Sequence, residues 1–175
     1  MSTVAILGSG TISSEAEDYQ NAYQIATKLG QIGLTIMTGG YGGIMEAASK
    51  GGYDAGVNVI GVTTEKRQPL QPNVWLKQNI HYPTVDERLR HLVEQADGYV
   101  VMQGRTGTYF EVHEIITRLA TGAMSAKPIV LWTDYWISTI QSLKNKKNFD
   151  NSVDAHIHIV NSVDEVIKAT RSLAC

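Results

Sequence analysis

Glu111 closes the stretch Gln103-Gly104-Arg105-Thr106-Gly107-Thr108-Tyr109-Phe110-Glu111, and a carboxylate in that setting can do chemistry. The stretch follows the apolar run Gly98-Tyr-Val-Val-Met102, which reads as a buried strand, and it opens a helical pattern through Val112, Ile115, Ile116 and Leu119. A turn of small residues between a buried strand and a helix leaves backbone N–H groups free at the positive end of the helix dipole. Such a turn binds anions, most often phosphate. Glu111, one turn into the helix, would stand beside that phosphate as an acid or a base.

A structural alternative has the same spacing. Thr108 and Glu111 fit a capping box, in which threonine caps the helix and glutamate reaches back to the cap N–H. Ser14/Glu17, Thr84/Glu87 and Ser162/Glu165 repeat that spacing where helices should begin. Only Thr108/Glu111 follows a buried strand through a Gly-rich turn, and that location favours chemistry.

Arg88 is the second candidate. With Thr84 as cap it lies near the end of the first helical turn, where the dipole disfavours a cation. It borders the apolar stripe of Val85, Leu89, Leu92, Val93 and Ala96. A guanidinium there needs an anion: either a nearby acid such as Asp86 or Glu87, or a phosphate or carboxylate met by two parallel hydrogen bonds.

The elements that must hold these residues alternate. Apolar runs at 3–7, 34–37, 57–62, 98–102, 128–132 and 156–160 read as strands, with a short one at 80–82. Helical patterns cover 15–29, the segment carrying Ile44, Ala47 and Ala48, 84–96 and 107–122, and a helical segment follows each of the last two strands. This predicts a single-domain, Rossmann-like α/β fold over residues 1–175: a doubly wound, mostly parallel sheet with helices on both faces. Ligands of such sheets bind at the carboxyl ends of the strands, near the topological switch point. The glycine turns at 8–10, 39–43 and 104–107 all follow strands and should share that edge. Residues 64–79 break the rhythm; they read either as a connection with Trp75 tucked onto the core or as a flap beside the ligand.

Several function classes fall away. The net charge is −2, and the one basic cluster, Lys144, Lys146 and Lys147, fits a solvated helix end, so no nucleic-acid partner is expected. The single cysteine, Cys175, forms no intramolecular disulfide and no thiolate metal cage. The first strand begins at position 4 and no apolar run has membrane-spanning length, so no signal peptide and no membrane contact are expected, and the location should be cytoplasmic. Gly8-x-Gly10 lacks the third glycine of a dinucleotide fingerprint, where Ser13 stands, and no Walker loop or Gly-x-Ser-x-Gly elbow occurs. His156 and His158 share one strand face without a third ligand, so no metal is expected.

Taken together these motifs resemble the Lonely Guy (LOG) family of cytokinin riboside 5′-monophosphate phosphoribohydrolases, long labelled "possible lysine decarboxylases". That family carries an arginine-bearing helix, a strand, then Pro-Gly-Gly-x-Gly-Thr-x-x-Glu. Here Glu87-Arg88, strand 98–102 and Gly104-x-x-Gly107-Thr108-x-x-Glu111 fall in that order, with a spacing of 23 from Arg88 to Glu111. Gly8-Ser9, Gly39-Gly40-x-x-Gly43-Ile-Met45, Lys127-Pro128 and Thr117 extend the resemblance over most of the chain. Gln103, Arg105, Phe110 and Leu89 depart from it.

The resemblance implies hydrolysis of the N-glycosidic bond of an AMP-like nucleoside 5′-monophosphate without a cofactor. Arg88 and Glu111 would be catalytic. Ser9, Gly39, Gly40, Gly104, Arg105, Thr106, Gly107 and Thr108 would bind substrate. Thr117, about 240° around the helix from Glu111, would serve a partner subunit's site, since the resemblance implies a homodimer. Proteins similar to this family bind molybdenum cofactor, a phosphorylated pterin, so the alternative is a carrier without turnover. A pyridoxal-phosphate decarboxylase finds no lysine at a strand end near the phosphate turn.

Overall fold

The computed structural model describes residues 1–145 and 151–174. Lys146, Lys147 and Cys175 lie outside the described residues, and with them most of the basic cluster. Seven strands form one sheet: β1 (Thr3–Leu7), β2 (Thr35–Thr38), β3 (Val59–Thr64), β4 (Gln78–Tyr82), β5 (Gly98–Val101), β6 (Ile129–Trp132) and β7 (Ile157–Val160). Their order is β4-β3-β2-β1-β5-β6-β7, and every neighbouring pair is parallel. The chain steps outward from β1 to β4, then returns to the other side of β1 at β5. The switch point therefore lies between β1 and β5.

Strand residues alternate between two cores, as a period of two requires. Val4, Ile6, Val100 and Met102 pack under α1 (Glu17–Gln31), α2 (Ile44–Asp54) and α6 (Val163–Thr170). Ala5, Leu7, Tyr99 and Val101 pack under α3 (Val85–Glu94), α4 (Thr106–Ala120) and α5 (Ile137–Lys144). Both faces of the sheet are thus dry, and each fully buried Ile, Leu or Val contributes about 1.5–3 kcal/mol. Among the described residues no helix is long and apolar enough to cross a membrane, and no group of three or more candidate metal ligands occurs.

Two of the four capping boxes expected from spacing do not form. α1 begins after Ala16, two residues beyond Ser14, whose carbonyl accepts a bond from Gln20. α4 is capped by Arg105, not Thr108, because the Gly104-Arg105 turn lets the helix start three residues earlier. Thr108 is then buried in the first turn, and Glu111 is released from any capping duty. Ser162/Glu165 forms a complete box. At Thr84 the hydroxyl accepts from the Glu87 N–H and donates to its carboxylate, a partial box.

Candidate functional site

A cavity of about 320 Å³ opens at the carboxyl ends of β1, β2 and β5, where the switch point predicts a ligand. Its walls come from the turns after these strands, the first turns of α2 and α4, and the segment after β3. The three turns are laced together. The Ser9 N–H donates to the Gln103 carbonyl (3.0 Å), and the Ser9 carbonyl accepts from the Ile44 N–H (2.9 Å). Gly43, at φ 64°, brings α2 so near that a Cβ would stand 2.4 Å from the Ser9 oxygen. The N-termini of α2 and α4 are thereby fixed on one rim.

Arg88 and Glu111 meet across the floor. Arg88 leaves α3 and runs under the sheet edge, 6% exposed. Its Nε donates to the Val62 carbonyl (2.7 Å) and its Nη2 to the Gly39 carbonyl (3.2 Å). These oxygens, one within β3 and one just after β2, satisfy a cation that the helix dipole alone would disfavour. The guanidinium also lies over the Tyr41 ring, 5.9 Å from its centroid. Nη1 stands 3.8 Å from the Glu111 Oε1, so the partner is Glu111 and not the neighbouring Asp86 or Glu87. Burial pushes the Glu111 carboxyl up to about 7, against the opposing pull of Arg88 and Arg67. Burial likewise draws Arg88 below its ordinary value, opposed by Glu111; it stays a cation throughout.

The nine proposed substrate-binding positions divide. Ser9, Arg105, Gly107 and Thr108 line the cavity together with Arg88 and Glu111. Gly39, Gly40, Gly104, Thr106 and Thr117 do not belong to its lining. A Cβ at Gly39 would fall 2.0 Å from the Arg88 Nη2, so this glycine makes room for the arginine. Gly40 abuts Thr63 and Gly61, and Gly104 abuts the Thr108 side chain. Thr106 opens α4, and its N–H donates to no protein oxygen among the described residues. Thr117 is exposed on the outer side of α4.

Arg67 and Leu70 enter the cavity from residues 64–79, and no sequence motif marks them. The segment does both things its composition allowed. Trp75 is half-buried against Tyr53 of α2, while the short 3₁₀ turn Glu65–Arg67 hangs over the site. Tyr41 ties that turn down: its hydroxyl donates to the Thr64 carbonyl and accepts from the Thr64 N–H, both at 2.9 Å. Neither Arg67 nor Arg105 forms an ion pair among the described residues. Two unpaired guanidiniums, two helix N-termini and one carboxyl make a chamber suited to a multiply charged anion.

Comparison with known proteins adds three findings. The model of the SLOG cluster4 family matches residues 1–167. The cytokinin riboside 5′-monophosphate phosphoribohydrolase LOG2 of Arabidopsis thaliana is 27% identical over 125 residues, covering 70% of this chain and 58% of that protein. The fold is shared by a molybdenum cofactor binding protein from the phototrophic bacterium Rippkaea orientalis, with TM-score 0.79, 22% identity and coverage of 99% of this chain and 98% of that one. It is shared too by the molybdenum cofactor carrier protein of Chlamydomonas reinhardtii, with TM-score 0.77, 23% identity and coverage of 98% and 97%.

Proposed function

This chain belongs to the SLOG cluster4 family, and on that premise we propose that it is a nucleoside 5′-monophosphate phosphoribohydrolase, releasing free base and ribose 5-phosphate. The observation that carries the reading is Glu111: a largely buried carboxyl beside Arg88 in a cavity otherwise lined for an anion. A site built only to hold phosphate gains nothing from a carboxylate.

In this reading the phosphate sits at the N-terminus of α4, against the Thr106 and Gly107 N–H groups and the Arg105 and Arg67 guanidiniums. The Thr108 N–H is already committed to the Arg105 carbonyl. The ribose then lies over Glu111. As the C1′–N bond breaks, its electrons leave with the base and positive charge grows on the ribose. The Glu111 carboxylate stabilises that charge and takes a proton from the water that attacks C1′, while the departing base takes up a proton from solvent. A carboxyl titrating near 7 is matched to that proton transfer at neutral pH. Arg88, a poor proton donor, orients Glu111 and favours its ionised form. Thr117 and the half-exposed Phe110 lie on the free side of α4, which supports a homodimer packed through that helix. AMP and its N6-substituted analogues, the cytokinin precursors, are the first substrates to try.

The test is incubation of the protein with a panel of nucleoside monophosphates, with free base followed by chromatography. Release from AMP that persists in full in Glu111→Ala overturns the assignment. One observation favours a second reading: protonated Glu111 is neutral and admits an anion without repulsion, as a carrier of a phosphorylated pterin would need. No release from any nucleotide, with tight pterin binding, selects the carrier.

A further inference from the structure

The phosphate reading leaves open what aims the N–H groups of the turn. A turn of this length can flip its peptides, and each flip trades an N–H for a carbonyl in the cavity. Among the described residues, the N–H groups of Gly104, Arg105, Thr106 and Gly107 donate to no protein oxygen. The two carbonyls that precede them are both held. Gln103 O accepts from the Ser9 N–H (3.0 Å), and Gly104 O accepts from the Tyr135 hydroxyl (3.0 Å).

We infer that Tyr135 is a positioning residue: by holding the Gly104 carbonyl it orients the Gly104–Arg105 peptide so that the Arg105 N–H faces the phosphate. This deepens the proposed function and rests on it. The peptide is trans, so its C=O and N–H point in opposite directions. Tyr135 is not part of the cavity lining, whereas Arg105 is. Pulling the carbonyl toward Tyr135 therefore turns the N–H toward the cavity. The free Arg105 and Gly107 N–H groups, both on residues that line the cavity, then form an anion site at the N-terminus of α4.

Tyr135 is itself held in place. It belongs to the 3₁₀ turn Asp134–Trp136 that follows β6, so the constraint reaches the site from the strand beyond β5. Its oxygen accepts from the Tyr109 hydroxyl (3.1 Å), which leaves its single proton for Gly104. Both rings pack on buried Trp136, with centroids 5.0 Å and 5.3 Å away. Because Tyr109 lies in α4, the chain of hydroxyls joins the helix to the turn that precedes it.

Tyr135→Phe removes the hydroxyl and keeps the ring. Calorimetric titration with inorganic phosphate, AMP and adenosine, together with kinetics of base release, tests the inference. The expected result is binding of phosphate and AMP weakened about tenfold with adenosine binding unaltered, and the kinetic loss falling in KM rather than kcat. Tyr109→Phe, which removes only the upstream donor, gives a smaller loss in the same direction. Equal weakening of adenosine and AMP, or phosphate affinity unchanged in Tyr135→Phe, overturns the inference and leaves the hydrolase reading standing. Wild-type protein that binds neither phosphate nor AMP overturns both.

Discussion

Arg88 Nη1 and Glu111 Oε1 stand 3.8 Å apart at the floor of the cavity, close enough to feel each other's charge and too far for a direct hydrogen bond. Arg88 does not close that gap because its Nε and Nη2 are tied to the Val62 and Gly39 carbonyls. The pair is thus a held cation beside a carboxyl that makes no direct hydrogen bond to it. Burial outweighs Arg88 and leaves the Glu111 carboxyl near neutrality.

The pH dependence of turnover follows. If Glu111 acts as the carboxylate, base release climbs tenfold per pH unit below about 7 and levels off above it. A bound phosphate adds negative charge nearby and moves the midpoint of kcat above that of kcat/KM. A rate that falls as pH rises from 5 to 7 would put the proton, and not the carboxylate, in the active form.

The same group leaves a mark on stability. Its pKa is raised from 4.5 to about 7 on folding, so the native state holds the proton more tightly than the unfolded state. The proton's contribution is therefore complete below about pH 4.5 and is lost as pH rises through about 7. Glu111→Gln lacks this loss. Urea denaturation should show the variant gaining about 2–3 kcal/mol on the wild type between the two ends of that window. A pH-independent difference between the two proteins would mean that Glu111 titrates normally.

Gly39→Ala tests whether the position of Arg88 matters apart from its charge. The new Cβ would fall 2.0 Å from the Arg88 Nη2 and 2.6 Å from the Met45 Sδ, so the guanidinium must move. Overpacking of this kind costs about 1–3 kcal/mol, which a stable α/β domain survives. Base release should drop by roughly 10- to 100-fold and its pH midpoint should move upward as Glu111 loses its cation. Full activity in a folded Gly39→Ala protein would show that the Arg88 geometry is dispensable.

What could be read from the residues alone has a physical boundary. The parallel sheet, the shared edge of the glycine turns and the positions of Arg88 and Glu111 follow from local signals: period-two runs, small-residue turns and a cation out of place on a helix. Spacing predicts caps at Ser14 and Thr108 that do not form, because the start of α1 and α4 depends on the backbone of the turn before each. The room that Gly39 makes for the Arg88 guanidinium is not legible in the sequence, because it depends on the path of a side chain from α3. Tyr135 and Arg67 carry no motif: one reaches the turn from beyond β6, the other hangs from an irregular segment.

Arg67 supplies the last prediction. It sits on the 3₁₀ turn after β3, exposed, without an ion pair among the described residues, and its Nη2 would lie 3.9 Å from a Cβ on Gly107 across the cavity. An unpaired guanidinium facing the N-terminus of α4 adds to an anion's affinity and takes no part in bond breaking. Arg67→Ala should accordingly raise KM for AMP about tenfold, flatten the dependence of KM on salt, and leave kcat at saturating, high pH near its wild-type value. Its charge also holds the Glu111 carboxyl down, so the pH midpoint of kcat/KM should rise in the variant. Arg67→Lys keeps the charge and should restore the midpoint more fully than it restores KM, because an ammonium cannot form the two parallel bonds of a guanidinium. If Arg67→Ala lowers kcat at every pH with KM unchanged, the segment after β3 acts on the transition state and not on the phosphate.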